Sequence, residues 1–387
     1  MDLNFNSDLT IEQKAFVDTA KQFAAGFISE KSLEWDKKEY FPRNVFKSAA
    51  DLGFGAIYVS EKDGGTGLKR IDASLIFEEL AAACPSTSAF LSIHNMAIWM
   101  LSKYGSKEIK EKYLKDLAAM NKIASYCLTE PDSGSDAASL RTTAFPNNNN
   151  SKWSLNGSKA FISGAGESDL YFVMVKTDNE KSNKSNSISC LLVEKKSEGL
   201  SFGKKEAKMG WKNQPTRSVN FDNCHIPFNN ILGNTGDGFK IAMQGLDGGR
   251  INIASCSLGA AKYCINKSIE YVNGRKQFGK FLKEYQSIQF KIADMVTEYK
   301  AARLMVHQAA HSLDNNSKNS TNLSAMAKRY ATDVCFKICN EALQIHGGYG
   351  YLSDYGIEKM VRDCRVHQIL EGTNEIMRII ISRNYLG

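Results

Sequence analysis

The spacing of hydrophobic residues changes twice along the chain, and each change predicts a different kind of secondary structure. Up to about residue 124, apolar residues recur at helical spacing, as in SDLTIEQKAFVDTAKQFAAGF, which has a cap-like start between Ser7 and Thr10. The turn-rich segment EKDGGTGLKR at 61–70 interrupts this pattern, and DASLIFEELAAAC resumes it. We therefore predict a helical N-terminal domain over residues 1–124.

From about residue 125 the hydrophobic period falls to two, which is typical of half-buried strands. The segments DLYFVMVKT, ISCLLVEK and TRSVNFDNCHIP each predict one strand. The pair Asn156-Gly157 inside KWSLNGSKAFISG predicts a hairpin of two short strands, because this dipeptide favours tight β-turns. The polar segment DNEKSNKSNS predicts a loop, and the turn-rich GNTGDGF at 233–239 ends the region. We predict a small β domain over residues 125–237.

The helical pattern returns at about residue 240 and continues to the C-terminus. Two apolar stripes step by three and four residues: Ile288, Ile292, Met295, Tyr299, Ala302, Val306 and Ala309, then Ala327, Ala331, Val334, Ile338, Ala342 and Ile345. Stripes of this kind are typical of a packed antiparallel bundle, and the polar segment DNNSKNSTN joins the two helices. We predict a C-terminal helical bundle over residues 238–387, which makes the chain α+β and multidomain.

The last helical region is broken within HQILEGTNEI, residues 367–376. Gly372 is a poor helix residue that costs about 1 kcal/mol relative to Ala, and Thr373 can cap a new helix. The break leaves the carboxylate of Glu371 on a non-helical turn that follows two apolar residues. A carboxylate in this position is either a surface loop residue or a base held in place for chemistry.

Composition limits the classes of partner. The 387 residues include 49 basic and 42 acidic side chains, so the net charge of +7 is a mild and dispersed excess. We find no basic stripe with interleaved aromatic residues, which argues against a nucleic-acid partner. No apolar run reaches the roughly 18 residues that a membrane span requires, and we predict no metal site.

The cysteines and the first residues bear on the cellular compartment. Nine cysteines, an odd number at scattered spacing without a C-x-x-C pair, predict free and mostly buried thiols in a reducing compartment. The first 25 residues contain acidic side chains and no Arg, so they do not resemble a targeting peptide. If the protein acts in an organelle, we expect its targeting segment to lie outside this chain.

Three further stretches could bind a ligand. YCLTEPDSGSDAASLRT at 126–142 ends in a Ser/Gly/Asp turn that suits an anion or a ring edge, but it could equally join two domains. RKQFGK at 275–280 combines Arg, which suits phosphate, with Phe, which suits an adenine face; a solvated basic turn is the alternative. QIHGGYGY at 344–351 either caps a helix or lets a ligand approach the backbone closely.

Taken in order along the chain, these segments resemble the acyl-CoA dehydrogenases. The resemblance is carried by YCLTEPDSGSDA, GSKAFISGAGESD, MGWKNQPTRSVNFDNCHIP, GDGFKIAMQGLDGGRINIAS, RKQFGKFLKEYQSIQFKIADM and QIHGGYGYLSDYGIEKMVRDCRVHQILEGTNEIMRIIISRNYL. It implies an N-terminal α-helical domain, a middle β-barrel and a C-terminal four-helix bundle. It also implies FAD as cofactor, an acyl-CoA substrate, electron-transferring flavoprotein as electron acceptor, a homotetramer and the mitochondrial matrix.

Matching the motifs residue by residue assigns expected roles. The resemblance implies flavin contacts from Tyr126, Leu128, Thr129, Phe161, Ile162, Ser163, Arg275, Phe278, Gln286, Gln344, Ile345, His346, Gly347, Gly348, Thr373, Asn374 and Glu375. It implies substrate contacts from Ser135, Asp247, Gly248, Gly249, Arg250 and Arg383. Within the first set, Arg275 and Phe278 would hold the FAD of a neighbouring subunit.

The resemblance also gives Glu371 a role as the catalytic base. The α-proton of a thioester is weakly acidic, so the reaction requires a desolvated carboxylate with a raised pKa. The β-hydrogen leaves as hydride to flavin N5, chemistry that the cofactor supplies. The thioester oxygen gains negative charge and needs fixed donors, which the family provides from a flavin ribityl hydroxyl and the backbone N–H of the base.

The choice of acyl group remains open among related substrates. A minority of the family carries the base on the helix that begins near residue 240, but the matching position here is Gly249. The segments around this glycine and Glu371 look closest to the branch that acts on isobutyryl-CoA in valine breakdown, forming methacrylyl-CoA. Butyryl-CoA and 2-methylbutyryl-CoA are the alternative substrates. An acyl-CoA oxidase, which usually has an extra C-terminal domain, or a non-catalytic flavin-fold protein is the alternative of a different class.

Overall fold

The N-terminal part is built from six helices. The computed structural model describes residues 9–147, 149, 151–178 and 184–387. The helices are α1 (Ile11–Ala24), α2 (Ser32–Lys38), α3 (Arg43–Asp51), α4 (Arg70–Ala83), α5 (Pro85–Tyr104) and α6 (Lys107–Ala118). Thr10 caps α1 in a capping box with Gln13, which confirms a start at this point, while Ser7 lies outside the described residues.

A single eight-stranded sheet forms the middle part. Its strands are β1 (Ala124–Cys127), β2 (Thr143–Pro146), β3 (Lys152–Ser163), β4 (Leu170–Lys176), β5 (Ile188–Glu194), β6 (Leu200–Phe202), β7 (Thr216–Pro227) and β8 (Ile231–Leu232). The order is β6-β7-β3-β2-β4-β5-β8, with β1 parallel to β4. In the described part of the sheet, β6 and β8 are not paired with each other, so hydrogen bonding leaves the expected barrel open between these strands.

The predicted hairpin at Asn156-Gly157 is wrong. Both residues lie inside β3, a continuous strand of 12 residues that pairs with β2 on one side and with the distant β7 on the other. Gly157 has a φ of +140° and lies at a register shift between β3 and β7, so it serves a β-bulge instead of a turn. A side chain at this position would also lie 2.7 Å from the Cα of Thr142.

Long helices return after the sheet. They are α7 (Gly238–Gly274), α8 (Gln286–Asp314), α9 (Ser320–His346), α10 (Ile357–Arg365) and α11 (Asn374–Leu386), with a small hairpin of β9 (Lys276–Gln277) and β10 (Lys280–Phe281) between α7 and α8. The predicted apolar stripes of α8 and α9 pack into one buried cluster with α7. This confirms the helical bundle, and α11 packs against α9 at its edge.

The hydrophobic core determines where a site can form. Helices α4 and α5 of the N-terminal part pack against α7, and α5 also packs against β1, so helices and sheet meet around α5 and the first half of α7.

All nine cysteines are free and buried, as predicted. Among the described helices, none is long and apolar enough to span a membrane.

Candidate active site

The predicted helix break places Glu371 on a sharp turn between α10 and α11. Glu371 has a φ of +57° and Gly372 a φ of +88°, so two successive residues adopt the left-handed conformation. This conformation costs a residue with a side chain roughly 1–2 kcal/mol, and such strain is concentrated at functional sites. Thr373 caps α11 by accepting a hydrogen bond from the N–H of Ile376, which ends the turn.

Two cations from the helical bundle hold this turn. The buried Lys328 of α9 donates from Nζ to the carbonyl oxygen of Gly372 at 2.8 Å and to Oδ1 of Asn374 at 2.9 Å. Arg250 of α7 donates from Nε to the carbonyl oxygen of Glu371 at 3.4 Å. The Asn374 amide nitrogen also donates to Oγ1 of Thr332 at 2.9 Å. The Asn374 side chain therefore fixes the turn, and its expected flavin contact stays a prediction.

Glu371 faces a cavity of about 320 Å³ between the sheet and the helices. Eight other residues expected from the sequence line the same cavity: Tyr126, Leu128, Thr129, Ser135, Phe161, Ile162, Ser163 and Arg250. Phe161 has a φ of +58°, so its backbone is strained. The residue is 71% exposed, and its ring lies at the rim of the cavity. The volume is in the range of small-molecule and cofactor sites.

Two buried oxygen atoms in this cavity lack partners. Oε2 of Glu371 and Oη of Tyr126 make no hydrogen bond to any described residue. Buried polar atoms are nearly always satisfied, and a ligand in this cavity that carries polar groups would complete both of these atoms. The strand ends at Tyr126–Thr129 and Phe161–Ser163 provide hydroxyl groups beside apolar walls, a lining that fits the edge and face of a flavin ring.

Burial gives Glu371 the protonation behaviour of a general base. Desolvation raises the pKa of Glu371 from 4.5 to about 7, and the positive charges of Arg250 and Lys328 limit this rise. A carboxylate whose pKa is close to the working pH is a stronger proton acceptor than an exposed one and still ionises. Tyr126, whose pKa is raised well above 10 by burial and by the charge of Glu371, stays a neutral hydrogen-bond donor.

The raised pKa of Glu371 predicts a pH profile. A base must be deprotonated to act, so we expect kcat/KM to fall about tenfold per pH unit below pH 7 and to level off above it. Steady-state rates between pH 5 and pH 9, with flavin content checked at each pH, measure this profile. A profile that is flat down to pH 5.5 would contradict the raised pKa.

Two glycines in the middle of α7 create space for the site. A Cβ at Gly249 would lie 2.4 Å from Oε2 of Glu371, so only glycine lets the carboxylate approach the helix this closely. A Cβ at Gly248 would lie 2.4 Å from Nη1 of Arg70, whose guanidinium stacks 3.5 Å from the centroid of the Tyr58 ring. Gly249 therefore leaves room for the Glu371 carboxylate, whereas Gly248 leaves room for Arg70, which lines the neighbouring cavity.

Asp247 is held away from the reaction by its own partners. Its Oδ1 accepts from Nη1 of Arg250 at 2.7 Å and its Oδ2 accepts from Oγ1 of Thr321 at 2.7 Å. It lines a neighbouring cavity of about 470 Å³ instead of the one that Glu371 faces. Glu371 is thus the carboxylate with an unpartnered oxygen in this region of the described structure.

The remaining expected residues do not reach this cavity within one chain. Arg275, Phe278, Gln286 and Gln344–Gly348 lie where α7 and α9 end and α8 begins, about 37 Å along α7 from Arg250 at 1.5 Å per residue. Phe278 is 95% exposed and has a φ of +51°. These residues form a second group that lies partly on the surface: Phe278, Gln286, Gln344, Gly347 and Gly348 are exposed, Arg275 is half-buried, and Ile345 and His346 are buried.

Near Glu371, three expected contacts are also absent from the cavity wall. Thr373 acts as the cap of α11, Glu375 is exposed and pairs with Arg378, and Arg383 is exposed near the C-terminus. The sequence interpretation in turn missed Lys328 and Trp211. Lys328 offered one signal, a lysine directly after Ala327 in an otherwise apolar stripe; Trp211 lines the cavity from a loop that carried no periodic signal.

The site and the fold together combine a buried carboxylate of raised pKa with a cleft whose lining suits a flat ring, the arrangement of a class of enzymes that work with a bound ring cofactor. Comparison with protein families agrees with this class. Residues 10–121, 125–224 and 236–386 match the acyl-CoA dehydrogenase N-terminal, middle and C-terminal domains. The chain belongs to the acyl-CoA dehydrogenase family and is a flavin-dependent enzyme of that class.

Named relatives cover almost the whole chain. It is 52% identical to mitochondrial isobutyryl-CoA dehydrogenase of Bos taurus, over 98% of this chain and 90% of that protein. It is 53% identical to the mitochondrial isobutyryl-CoA dehydrogenase of Dictyostelium discoideum, over 97% of this chain and 89% of that protein. The solved structure of butyryl-CoA dehydrogenase from Megasphaera elsdenii superposes with a TM-score of 0.94 at 36% identity and covers 100% of both chains.

Proposed function

We propose that the protein dehydrogenates isobutyryl-CoA to methacrylyl-CoA in valine catabolism, with Glu371 as the base. The observation that carries this proposal is the buried, unpartnered Oε2 of Glu371 facing a cavity that Tyr126 and Ser163 also line. The identity to two isobutyryl-CoA dehydrogenases supports the choice of acyl group. Their mitochondrial location supports the mitochondrial matrix for this chain.

The side chains of this protein would bind, orient and deprotonate the substrate. Residues Tyr126–Thr129 and Phe161–Ser163 would hold the FAD ring, which when bound supplies the acceptor for the β-hydrogen. Glu371 would take the α-proton on Oε2. Its backbone N–H has no acceptor in the described part of the chain, so it is available to donate to the thioester oxygen as negative charge develops.

Arg250 and Lys328 have a separate role in this scheme. The charge of Arg250 keeps part of the Glu371 population ionised despite burial, and Lys328 adds to this effect only while it is protonated, because burial lowers its own pKa to about 7. The hydrogen bonds of both residues to the turn fix the direction of the carboxylate. Burial of the reacting atoms excludes water, which strengthens each of these electrostatic interactions.

Flavin bleaching with a panel of acyl-CoAs tests the proposed activity. We expect the purified protein to be yellow with noncovalent FAD, and isobutyryl-CoA to give the highest kcat/KM among four- and five-carbon acyl-CoAs. One methylene in an apolar pocket is worth about 1–3 kcal/mol, so butyryl- and 2-methylbutyryl-CoA should remain measurable. A tenfold preference for butyryl-CoA would reassign the substrate. A colourless protein that takes up no FAD would overturn the proposal, and peroxide formation matching turnover would indicate an oxidase.

We also propose a homotetramer in which the second group of expected residues binds the FAD of a neighbouring subunit. The separation of about 37 Å along α7 supports this arrangement, because one chain cannot bring both groups to the same ring system. Exposed apolar side chains on α8 and α11, including Phe290 and Leu304, would be covered by assembly. Electron-transferring flavoprotein is the proposed electron acceptor.

Arg275→Ala is expected to weaken FAD retention and the tetramer together. Arg275 is half-buried, its guanidinium lies 5.6 Å from the centroid of the Tyr349 ring, and we propose that it contacts a phosphate of the FAD in another subunit. Loss of such a charge-assisted contact should cost roughly 2–5 kcal/mol if it is buried in the assembly. Gel filtration and flavin content measure both effects, with Lys276→Ala on the same hairpin as the matched control. Unchanged values for the Arg275 variant would contradict the intersubunit role.

A further inference from the structure

Trp211 occupies a strained position in the wall of the active-site cavity. It lies on the loop between β6 and β7, is 4% exposed and lines the same cavity as Glu371. Its φ is +52°, a conformation that bulky residues rarely adopt. A residue held in this way indicates that the surrounding structure requires its side chain at one place.

The backbone of this loop is docked on α10. The N–H of Trp211 donates to Oδ1 of Asp363 at 2.6 Å, and the other oxygen of Asp363 accepts from Nζ of Lys359 at 2.5 Å, with both of these partners fully buried. The preceding Gly210 packs against α10, where a Cβ would lie 2.4 Å from the carbonyl oxygen of Arg362. These contacts fix the loop to the segment that leads to Glu371.

The indole ring is fixed by a second hydrogen bond. Its Nε1 donates to Nε2 of His367 at 3.2 Å, and the two rings meet edge to face with centroids 5.4 Å apart. An indole can only donate, so Nε2 accepts and the His367 proton lies on Nδ1, which donates to Oγ of Ser257 at 2.7 Å. Burial lowers the pKa of His367 to about 3, so the imidazole stays neutral and this arrangement persists at neutral pH.

The lining of the cavity indicates which end Trp211 closes. The polar residues Ser135 and Asp136 are exposed at one side, whereas Trp211 packs in an apolar core cluster with Ile93 and Leu370. A CoA group is large and charged, so it must extend toward the exposed polar side. The acyl group then points toward the apolar side.

We propose that Trp211 is a specificity-determining residue that limits the length of the acyl group, and that Asp363 and His367 position it. The inference rests on the proposed function. Asp363 and His367 lie eight and four residues before Glu371 on the same segment, so the wall and the base are held at a fixed separation. Because Trp211 is held at a fixed separation from Glu371, the space between them favours a compact acyl group over an extended one.

Substitution of the indole tests the role of the wall. Trp211→Leu is expected to raise the ratio of kcat/KM for hexanoyl-CoA to that for isobutyryl-CoA by at least about tenfold, since each methylene admitted to an apolar pocket is worth 10–200-fold. Trp211→Phe keeps an aromatic ring but loses the N–H and the pyrrole part of the indole, so the ratio should rise less than in the Leu variant. Trp35→Leu is the matched control, because Trp35 is buried in the same core cluster without lining the cavity.

Flavin content and thermal unfolding of each variant accompany the rates. If Trp211→Leu does not fold, Trp211→Met provides a less disruptive substitution with the same expected direction. A folded, flavin-loaded Leu or Met variant with an unchanged ratio would overturn the inference and leave the proposed function intact. A wild-type protein whose flavin is reduced by none of the acyl-CoAs would overturn the proposed function and, with it, this inference.

Discussion

Glu371→Gln is expected to abolish turnover while substrate and flavin still bind. The amide has nearly the shape of the carboxylate, but it cannot accept the α-proton at neutral pH. Loss of a general base commonly lowers the rate by about 10²–10⁴, and the loss here should exceed that range because Gly249 offers no substitute carboxylate. The oxidised flavin should still show a spectral shift on binding isobutyryl-CoA, without bleaching.

Stopped-flow bleaching of the variant measures this effect. Glu270→Gln is the matched control, because this carboxylate on α7 is exposed and pairs with Lys267. It should keep wild-type rates. A Glu371→Gln rate within tenfold of the wild type would mean that the base lies elsewhere, and Asp247 would be examined next despite its ion pair with Arg250.

Gly249→Ala is expected to lower kcat by about 10²-fold, because a displacement of the base by about 1 Å can cost that much. The added methyl group would lie 2.4 Å from Oε2 and 3.0 Å from Cδ of Glu371, so the carboxylate must shift from its present position. The helix itself should tolerate the change, since Ala is a better helix residue than Gly.

Gly274→Ala provides the control for this substitution. Gly274 is the last residue of α7, and a Cβ there would meet no described atom within 4 Å. Steady-state kinetics and thermal unfolding of both variants separate a catalytic effect from a change in stability. A Gly249→Ala enzyme with a kcat within threefold of the wild type would show that the carboxylate can shift without loss of function.

The sequence predicted those elements whose conformation depends only on residues within one turn of each other. The break before α11 was predictable because Gly372 disfavours the helix and Thr373 caps the next one, and both effects act within one turn. The hairpin prediction failed because the conformation of Gly157 depends on β7, more than sixty residues later in the chain. An Asn-Gly pair cannot reveal whether a distant strand will pair with it.

The candidate site was predictable only in part for a similar reason. The motifs identified Glu371 and the lining of the cavity, but the cation that holds the turn comes from Lys328, on a different helix. Lysine usually lies on the surface, so the residue type alone argues against placing Lys328 in the interior, where the structure has it fully buried. The left-handed backbone of Trp211 likewise follows from its contacts with α10 and not from neighbouring residues.

The close approach of Glu371 to Gly249 has an evolutionary consequence. The resemblance to the family implies two placements of the base, one on this turn and one on the helix at the position of Gly249. Because a Cβ at 249 would overlap the Glu371 carboxylate, the two placements exclude each other in this backbone. A lineage that moves the base by single substitutions must pass either through a protein without a base or through one whose base is displaced. Position 249 therefore couples the two placements, because a side chain added there by a single substitution would displace the base that is already present.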